Sequence, residues 1–294
     1  MPSVDPTSYP SYFIGHAGVN LLFSDAPTTL TTRANLRAIG QEILALQPRP
    51  KALLVFSGHF EAAEIRGPGT IEVNVKPRTE IWHDFVNDFH DAAPFVYDYE
   101  WPHLDAPELA HEVYRELKDA GLLVKRVQRG IDHGVWVPAK VMFPEETPLD
   151  VPIVQVSTYH GYDLAQQLKL GEAVARLRTQ GYLLLGSGMV CHSFELATAA
   201  PSQREAIAQR LLPESKRFDA AVKRAAGLRS GEERKKELLA LEELPEFKIN
   251  HPTVEHFTPL LVVAAAAGDA DVEVHGEEAI SAGQSTTNFR FTSL

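Results

Sequence analysis

Three uninterrupted apolar runs constrain the fold of this 294-residue chain more than any other feature. The runs are ALLVFSG at 52–58, VPIVQVS at 151–157 and YLLLGSG at 182–188. Such runs are typical of strands that a parallel sheet buries on both faces. Because stretches with helical spacing of apolar residues lie between them, we predict an α/β fold. It would have a mostly parallel or mixed central sheet flanked by helices on both faces.

Further elements are predicted from the same alternation. SYFIG at 11–15 and the tail TTNFRFTSL read as strands, and dense charge at 203–243 predicts surface helices. Other helices are predicted with Thr31 or Thr32, Asp105 and Asp163 as N-caps, and from 251 into the apolar run that ends at 269. Residues 67–103 lack periodicity and are interpreted as a long surface excursion. No linker-like stretch divides the chain, so we expect one domain over residues 1–294.

Charge and composition disfavour several classes of protein. A net charge of −11 is unsuited to a protein that binds nucleic acid. There is no run of 18 apolar residues, and the first residues lack the features of a signal peptide, so we expect no membrane association. The single cysteine, Cys191, fits a reducing compartment. We therefore expect a cytoplasmic protein.

Histidines follow several of the predicted strands. His16, His59, His160 and His192 each come at or just after the end of one. Ligands of open α/β sheets bind beyond the carboxyl ends of the strands, so these side chains are candidates for one cleft. A lone loop histidine is more often just hydrogen-bonded. The glycine-flanked pair His16 and His59 instead favours a shared metal.

The segment 251–256 adds His251, Glu255 and His256 to the candidates. Three nitrogen or oxygen ligands with an open position suit a catalytic zinc or a non-heme iron(II). The sequence leaves two ligand sets as alternatives. One is two histidines and one carboxylate, and the other is three histidines. Glu255 could instead only favour the N-terminus of the following helix.

The segment RGIDHGVWVPAKVMFP at 129–144 is a further candidate. Asp132 could orient the ring of His133, and Trp136 and Pro138 would suit an aromatic ligand. The alternative is a glycine-rich turn with a solvent-facing histidine. The sequence has no GxSxG, HExxH, GxxxxGK[ST] or GxGxxG motif, and the adjacent Cys191 and His192 are not expected to act as a nucleophilic pair.

Six segments together resemble a known family. They are FIGHAGVN, LLVFSGHFEA, RGIDHGVWVPAKVMFP, VPIVQVSTYHGY, LLGSGMVCHSF and HPTVEHFTPLLVVAAAAGD, in this order between about residues 12 and 292. They are similar to the class III, LigB-type extradiol ring-cleavage dioxygenases, and most similar to the DOPA 4,5-dioxygenase branch. The resemblance implies a single α/β domain that cleaves a catechol with O2. It also implies Fe(2+) for catalysis, with Zn(2+) in the same site in some relatives.

The resemblance also implies roles for individual residues. His16 and His59 match the first two metal ligands, and His256 matches the third in the DOPA branch. His133 matches a histidine that contacts the substrate, and His192 matches the acid/base histidine, which some descriptions count as a further ligand. The branch usually reads GHGSPM where this chain has GHAGVN. A zinc hydrolase on the same ligands and a non-catalytic binding protein of this fold are the alternatives.

Overall fold

The computed structural model describes residues 9–85, 91, 93–161 and 163–293. Its strands are, in chain order, β1 (Ser11–Gly15), β2 (Ala52–Glu61), β3 (Thr70–Asn74), β4 (Leu123–Val127), β5 (Ile153–Thr158), β6 (Tyr182–Gly188), β7 (Cys191–His192), β8 (Ala270–His275), β9 (Ile280–Ser281), β10 (Gln284–Ser285) and β11 (Asn288–Ser293). Its α-helices are α1 (Pro27–Ala45), α2 (Pro107–Asp119), α3 (His133–Met142), α4 (Leu164–Thr179), α5 (Glu195–Thr198), α6 (Arg204–Ala226), α7 (Gly231–Ala240), α8 (Pro245–Asn250) and α9 (Thr258–Ala266).

Eight of these strands form one mixed sheet in the order β4-β3-β5-β2-β6-β1-β11-β8. The four central strands, β5, β2, β6 and β1, are mutually parallel. Antiparallel pairing begins at β3 on one side and at β11 on the other. A small second sheet has the order β7-β10-β9. The prediction of an α/β fold with a mixed central sheet is confirmed.

The central strands are apolar on both faces because each face covers a separate core. In β2, Leu54 and Phe56 belong to one core, whereas Leu53 and Val55 belong to the other. Helices α4 and α9 pack in the first core, and α1 and α3 pack in the second. Burial on both sides is the reason why these strands read as continuous apolar runs rather than as alternating ones.

Two predicted N-cap assignments are wrong and one is confirmed. Helix α1 begins at Pro27 rather than at Thr31 or Thr32, because proline supplies helical φ at the first position. Asp105 does not cap α2, since its carboxylate accepts hydrogen bonds from the backbone and hydroxyl of Thr79. Asp163 does cap α4, accepting from the backbone N–H of Gln166 at 3.0 Å.

The interpretation of residues 67–103 as a surface excursion is wrong for its first part. Strand β3 is buried at all five positions and lies inside the sheet. The sequence TIEVN does not look like a buried strand, because it contains polar residues. Their polar groups are hydrogen-bonded inside the protein. Asn74 donates to Gln155, and the backbone N–H of Glu72 donates to Ser157. Residues 86–90 and 92 of the predicted excursion lie outside the described residues.

The apolar helix near the C-terminus starts later than predicted. Residues 251–257 form turns, and α9 begins only at Thr258. The segment RGIDHGVWVPAKVMFP contains a helix, α3, and not a glycine-rich turn. In the parts of the chain that the structure describes, none of the helices combines the length and the apolar character needed to cross a bilayer.

Candidate metal and substrate site

Three of the predicted histidines reach one edge of the central sheet. His16 directly follows β1, His59 lies in the last part of β2, and His192 lies in β7, just beyond β6. Strands β2, β6 and β1 are adjacent and parallel, so their carboxyl ends meet there. This edge is where open α/β sheets bind ligands.

A local irregularity in β2 accompanies His59. The pairing of β2 with β5 shifts between Phe56 and Glu61, as at a β-bulge. Ser57 fixes the irregular stretch, because its hydroxyl donates to Asp132 at 2.6 Å and accepts from the backbone N–H of His59 at 3.1 Å. Bulges often re-aim a side chain beside an active site, and here the bulge contains His59.

His256 reaches the same edge on the turn segment before α9. Its carbonyl oxygen accepts a hydrogen bond of 2.9 Å from the backbone N–H of Met189. A Cβ atom on Gly188 would lie only 2.2 Å from that oxygen. The close approach therefore requires glycine at the end of β6.

The side chains of His16, His59 and His256 face one another. Their ligand atoms all lie within 4.8 Å of one another, and the two Nε2 atoms of His59 and His256 are 3.1 Å apart. Two overlapping groups of described residues meet the same distance limit. They are His59, Asp84 and His133, and His192, Glu255 and His256.

Hydrogen bonds fix the tautomer of two of these rings. Glu255 accepts from Nδ1 of His256 at 2.9 Å, which leaves the Nε2 lone pair of His256 free. Ser187 donates to the carbonyl oxygen of Gly134, so its contact of 3.1 Å with His16 must be one in which His16 Nδ1 donates. Nε2 of His16 is then also an acceptor. Such hydrogen bonds are typical of metal-binding histidines.

The donor set fits a divalent transition metal. Imidazole suits iron, zinc, copper and nickel, and metal–nitrogen distances are about 2.0–2.1 Å. Two nitrogens bound to one ion at tetrahedral or octahedral angles are therefore about 2.8–3.4 Å apart. The separation of 3.1 Å between His59 Nε2 and His256 Nε2 falls in that range.

Burial keeps the clustered imidazoles neutral. It lowers the pKa of His16 and His256 well below the ordinary value, and neighbouring histidines add to the effect. The pKa of His59 falls to about 3 for the same reasons. Neutral imidazole is the form that binds a metal, so these rings need lose no proton at neutral pH.

The residue that orients His133 is Asp84, and the prediction of Asp132 for this role is wrong. Asp84 Oδ1 accepts from both the backbone N–H, at 2.8 Å, and Nδ1, at 3.1 Å, of His133. Burial alone would raise the pKa of Asp84, but the hydrogen bonds from His133 lower it. Asp132 is instead bonded to Ser57 and Gln155 and lies 3.4 Å from Arg129. No sequence spacing could have identified Asp84, which is 49 positions from His133.

His192 packs against the cluster of His16, His59 and His256. Its ring stacks on that of His256, with centroids 3.5 Å apart and planes at 14°. Its Nδ1 atom is buried and has no hydrogen-bond partner among the residues that the structure describes. Burial, with help from neighbouring histidines, lowers its pKa to about 3. An open nitrogen on a neutral ring can accept a proton from a ligand.

Two of the candidate histidines lie elsewhere. His160, which was expected at the cleft, has a half-exposed side chain 3.9 Å from a Glu61 carboxylate oxygen. His251 is buried among aromatic rings, and its Nε2 atom bonds the carbonyl oxygen of Val190 at 2.7 Å. Cys191 is buried too, and burial raises its thiol pKa well above the ordinary value, which disfavours a nucleophilic role.

A cavity of about 90 Å³ opens over the cluster. Its walls include all five of the histidines His16, His59, His133, His192 and His256, together with Ala17, Gly18, Val19, Phe85, Met189, Phe194 and Gln284. Ala17 has a φ of 55°, in the left-handed region that glycine favours, beside the candidate ligand His16. The cavity combines imidazoles with an apolar wall, as expected for an aromatic ligand.

Comparison with known proteins agrees with this geometry. Residues 11–292 match the family model described as "Catalytic LigB subunit of aromatic ring-opening dioxygenase". The chain belongs to the LigB family. The protein is therefore an aromatic ring-opening dioxygenase by family, which implies an aromatic substrate and O2.

Individual relatives cover most of the chain. The "4,5-DOPA dioxygenase extradiol" of Beta vulgaris is 30% identical over 88% of this chain and 87% of its own length. A "4,5-DOPA dioxygenase extradiol-like protein" of Schizosaccharomyces pombe is 30% identical over 77% and 71%. The crystal structure of an uncharacterized Escherichia coli K12 protein, 24% identical, has the same fold, with a TM-score of 0.68 over 96% of this chain and 99% of that one.

Replacing Asp84 tests whether this carboxylate fixes the ring of His133. Asp84→Ala removes the acceptor for two N–H groups, so we expect the free energy of unfolding to fall by about 1.5–3 kcal/mol. His133 should also lose its preference for a proton on Nδ1. Asp84→Asn keeps an acceptor oxygen, so its stability and the tautomer of His133 should change less than in Asp84→Ala. Urea unfolding and long-range ¹H–¹⁵N NMR spectra, with His133→Gln for assignment, measure these effects. An unchanged tautomer in Asp84→Ala would contradict this role.

Buried His251 predicts a pH-dependent stability. Burial lowers its folded pKa from 6.5 to about 4, so between these values the unfolded chain binds a proton that the folded chain does not. The free energy of unfolding should therefore decrease as the pH is lowered through this window, and His251 should contribute about 1.4 kcal/mol per pH unit to that decrease. His251→Gln, which can still donate to Val190, should lose that part of the slope.

Urea unfolding of the metal-free protein between pH 6 and pH 4.5 checks this expectation. The exposed His160, changed to glutamine, is the matched control and should leave the slope as in the parent. Parallel curves for the parent and His251→Gln would show that His251 does not titrate with unfolding.

Proposed function

We propose that this protein is an extradiol dioxygenase that opens a catechol beside its two hydroxyl groups, with Fe(2+) held by His16, His59 and His256. The observation that carries the proposal is the meeting of these three imidazoles within 4.8 Å at the ligand-binding edge of the sheet. The names of relatives, "4,5-DOPA dioxygenase extradiol", support it. Zn(2+) can occupy the same nitrogens, because imidazole binds both metals. Residues 1–294 would act as one catalytic domain.

The overall reaction needs only the catechol and O2. Both oxygen atoms enter the product as the carbon–carbon bond beside the diol breaks, and the two carbons become a carboxylic acid and an aldehyde. O2 accepts all four electrons, so no external reductant is consumed. When bound, the ion would acidify the catechol hydroxyls and supply a meeting point for O2. A reducing compartment such as the cytoplasm would keep iron as Fe(2+) and suits the buried, lone Cys191.

His256, rather than Glu255, is the proposed third ligand. The carboxylate of Glu255 accepts from Nδ1 of His256 and so presents the opposite nitrogen to the cluster. That nitrogen is the one 3.1 Å from His59 Nε2. Glu255 then acts through His256, as carboxylates behind metal-binding histidines do.

His192 and His133 would handle the substrate protons. His192 is neutral, and among the described residues its buried Nδ1 atom has no hydrogen-bond partner. The negative charge of a bound catecholate would raise the pKa of this ring, so that it could accept a hydroxyl proton and return it to the opened ring. His133 donates Nδ1–H to Asp84, which leaves its Nε2 atom to accept a hydrogen bond from the substrate. Phe85 and Phe194 in the cavity wall can contact the ring.

Anaerobic reconstitution with Fe(2+) or Zn(2+) tests the function. We expect the iron form alone to consume O2 with a catechol and to give a yellow, ring-opened semialdehyde that contains both atoms of ¹⁸O2. His16→Ala, His59→Ala and His256→Ala should lose metal while far-UV circular dichroism stays unchanged, because the ligands lie outside the hydrophobic cores. Glu255→Gln should retain metal.

Each alternative has its own outcome in this experiment. A colourless muconate product would indicate cleavage between the hydroxyls. Ester or amide hydrolysis by the zinc form, without O2 uptake, would indicate a hydrolase. Catechol binding without turnover by the iron form would indicate a binding protein. Loss of metal in Glu255→Gln with retention in His256→Ala would reverse the choice of the third ligand.

His192→Gln separates chemistry from metal binding. We expect kcat to fall by about 10²–10⁴-fold, the range for loss of one general acid–base group. Metal content and anaerobic catechol affinity should change little, whereas His133→Ala should weaken catechol binding as well as turnover. If His192→Gln is isolated without metal, His192 is a further ligand and its acid–base role is wrong.

A further inference from the structure

We infer that the cavity selects catechols whose ring substituent is uncharged and discriminates against those that carry a carboxylate on the ring. This inference rests on the proposed function and concerns the ring substituent of the catechol, which does not take part in the reaction. Apart from the five histidines, the described residues of the wall are apolar side chains, the Ala17–Gly18 segment and one amide, Gln284.

No lysine or arginine lines the cavity among residues 9–85, 91, 93–161 and 163–293. The sequence places no lysine or arginine in the remaining positions either. Arg129 contacts the carbonyl oxygen of His59, but its guanidinium also lies 3.4 Å from the buried carboxylate of Asp132. A substrate carboxylate in this cavity would therefore lack a cationic partner.

The charges immediately behind the wall are negative. Asp84 bonds to His133 and Glu255 bonds to His256, and both histidines line the cavity. A carboxylate that loses its water without gaining a cation is strongly disfavoured, and nearby like charges add to the penalty. The net charge of −11 also disfavours the approach of anions.

Gln284 is the wall residue at which a charged side chain can be introduced to test the inference. It lies on β10, where its backbone pairs with that of His192. The next turn is held in place, because buried Asp219 accepts hydrogen bonds of 2.6 Å from both Ser285 and Thr287. An amide at this position can bond an uncharged oxygen of a substituent but cannot neutralise a carboxylate.

The test compares 4-methylcatechol with 3,4-dihydroxybenzoate, which carry their substituents at the same ring position. Both are measured on the metal-loaded protein, by anaerobic binding and by kcat/KM. We expect both measures to favour 4-methylcatechol by at least about 30-fold, as for an unpaired buried charge. Gln284→Arg should shift the ratio toward the benzoate by about tenfold or more, and Gln284→Glu should shift it the other way. Gln203→Arg, an exposed site outside the cavity wall, controls for the change in net charge.

The outcomes separate this inference from the proposed function. Preferential binding of 4-methylcatechol without ring opening would support the inference and overturn the dioxygenase proposal. Ring opening of both compounds with ratios within threefold, or a preference for the benzoate, would overturn the inference alone. Failure of 4-methylcatechol to bind, or an equal shift in Gln203→Arg and Gln284→Arg, would also overturn it.

Discussion

The seating of residue 256 against the end of β6 is the contact on which the site depends. The carbonyl oxygen of His256 accepts from Met189, and it lies where any side chain on Gly188 would collide with it. Strands β1 and β2 bring His16 and His59 to the sheet edge through ordinary parallel pairing, but His256 comes from a turn far along the chain. Without the glycine, the third imidazole would be displaced from the other two. The geometry of the cluster is therefore set by backbone contact before any metal binds.

A shell of hydrogen-bond acceptors then decides which nitrogen each ring presents. Nδ1 of each ring donates a hydrogen bond to a different acceptor. His16 donates to Ser187, His256 donates to Glu255 and His133 donates to Asp84. Each partner is supplied by a different part of the chain, so the rings are oriented independently. His192 differs, since its Nδ1 has no partner in the described part of the chain, and its ring stacks on that of His256. This nitrogen can bind or release a proton without breaking a hydrogen bond to any of the described residues.

The sequence was informative where burial alone determines structure. The runs at 11–15 and 182–188 match β1 and β6 to the residue, because strands buried on both faces are typically rich in apolar residues. Strand β3 was missed because the polar residues in TIEVN mask its burial. Asn74, for example, bonds to Gln155 of β5, a tertiary contact with no local signature. The assignment of Asp132 to His133 failed for the same reason. Adjacency suggested Asp132, whereas the actual contact spans 49 positions.

The distribution of charge links the ligand set to the substrate. Three neutral imidazoles contribute no charge, and the carboxylates of Asp84 and Glu255 stand one hydrogen bond behind the rings that they orient. Both charges of a bound dication would then be left to the two oxygens of the diol, which favours a catecholate dianion over a less acidic ligand. Elsewhere the wall holds no cation among the described residues. On the proposed function, negative charge would thus be stabilised at the reacting end of the ligand and penalised at the other end. The arrangement that promotes ionisation of the diol would then also orient the ring.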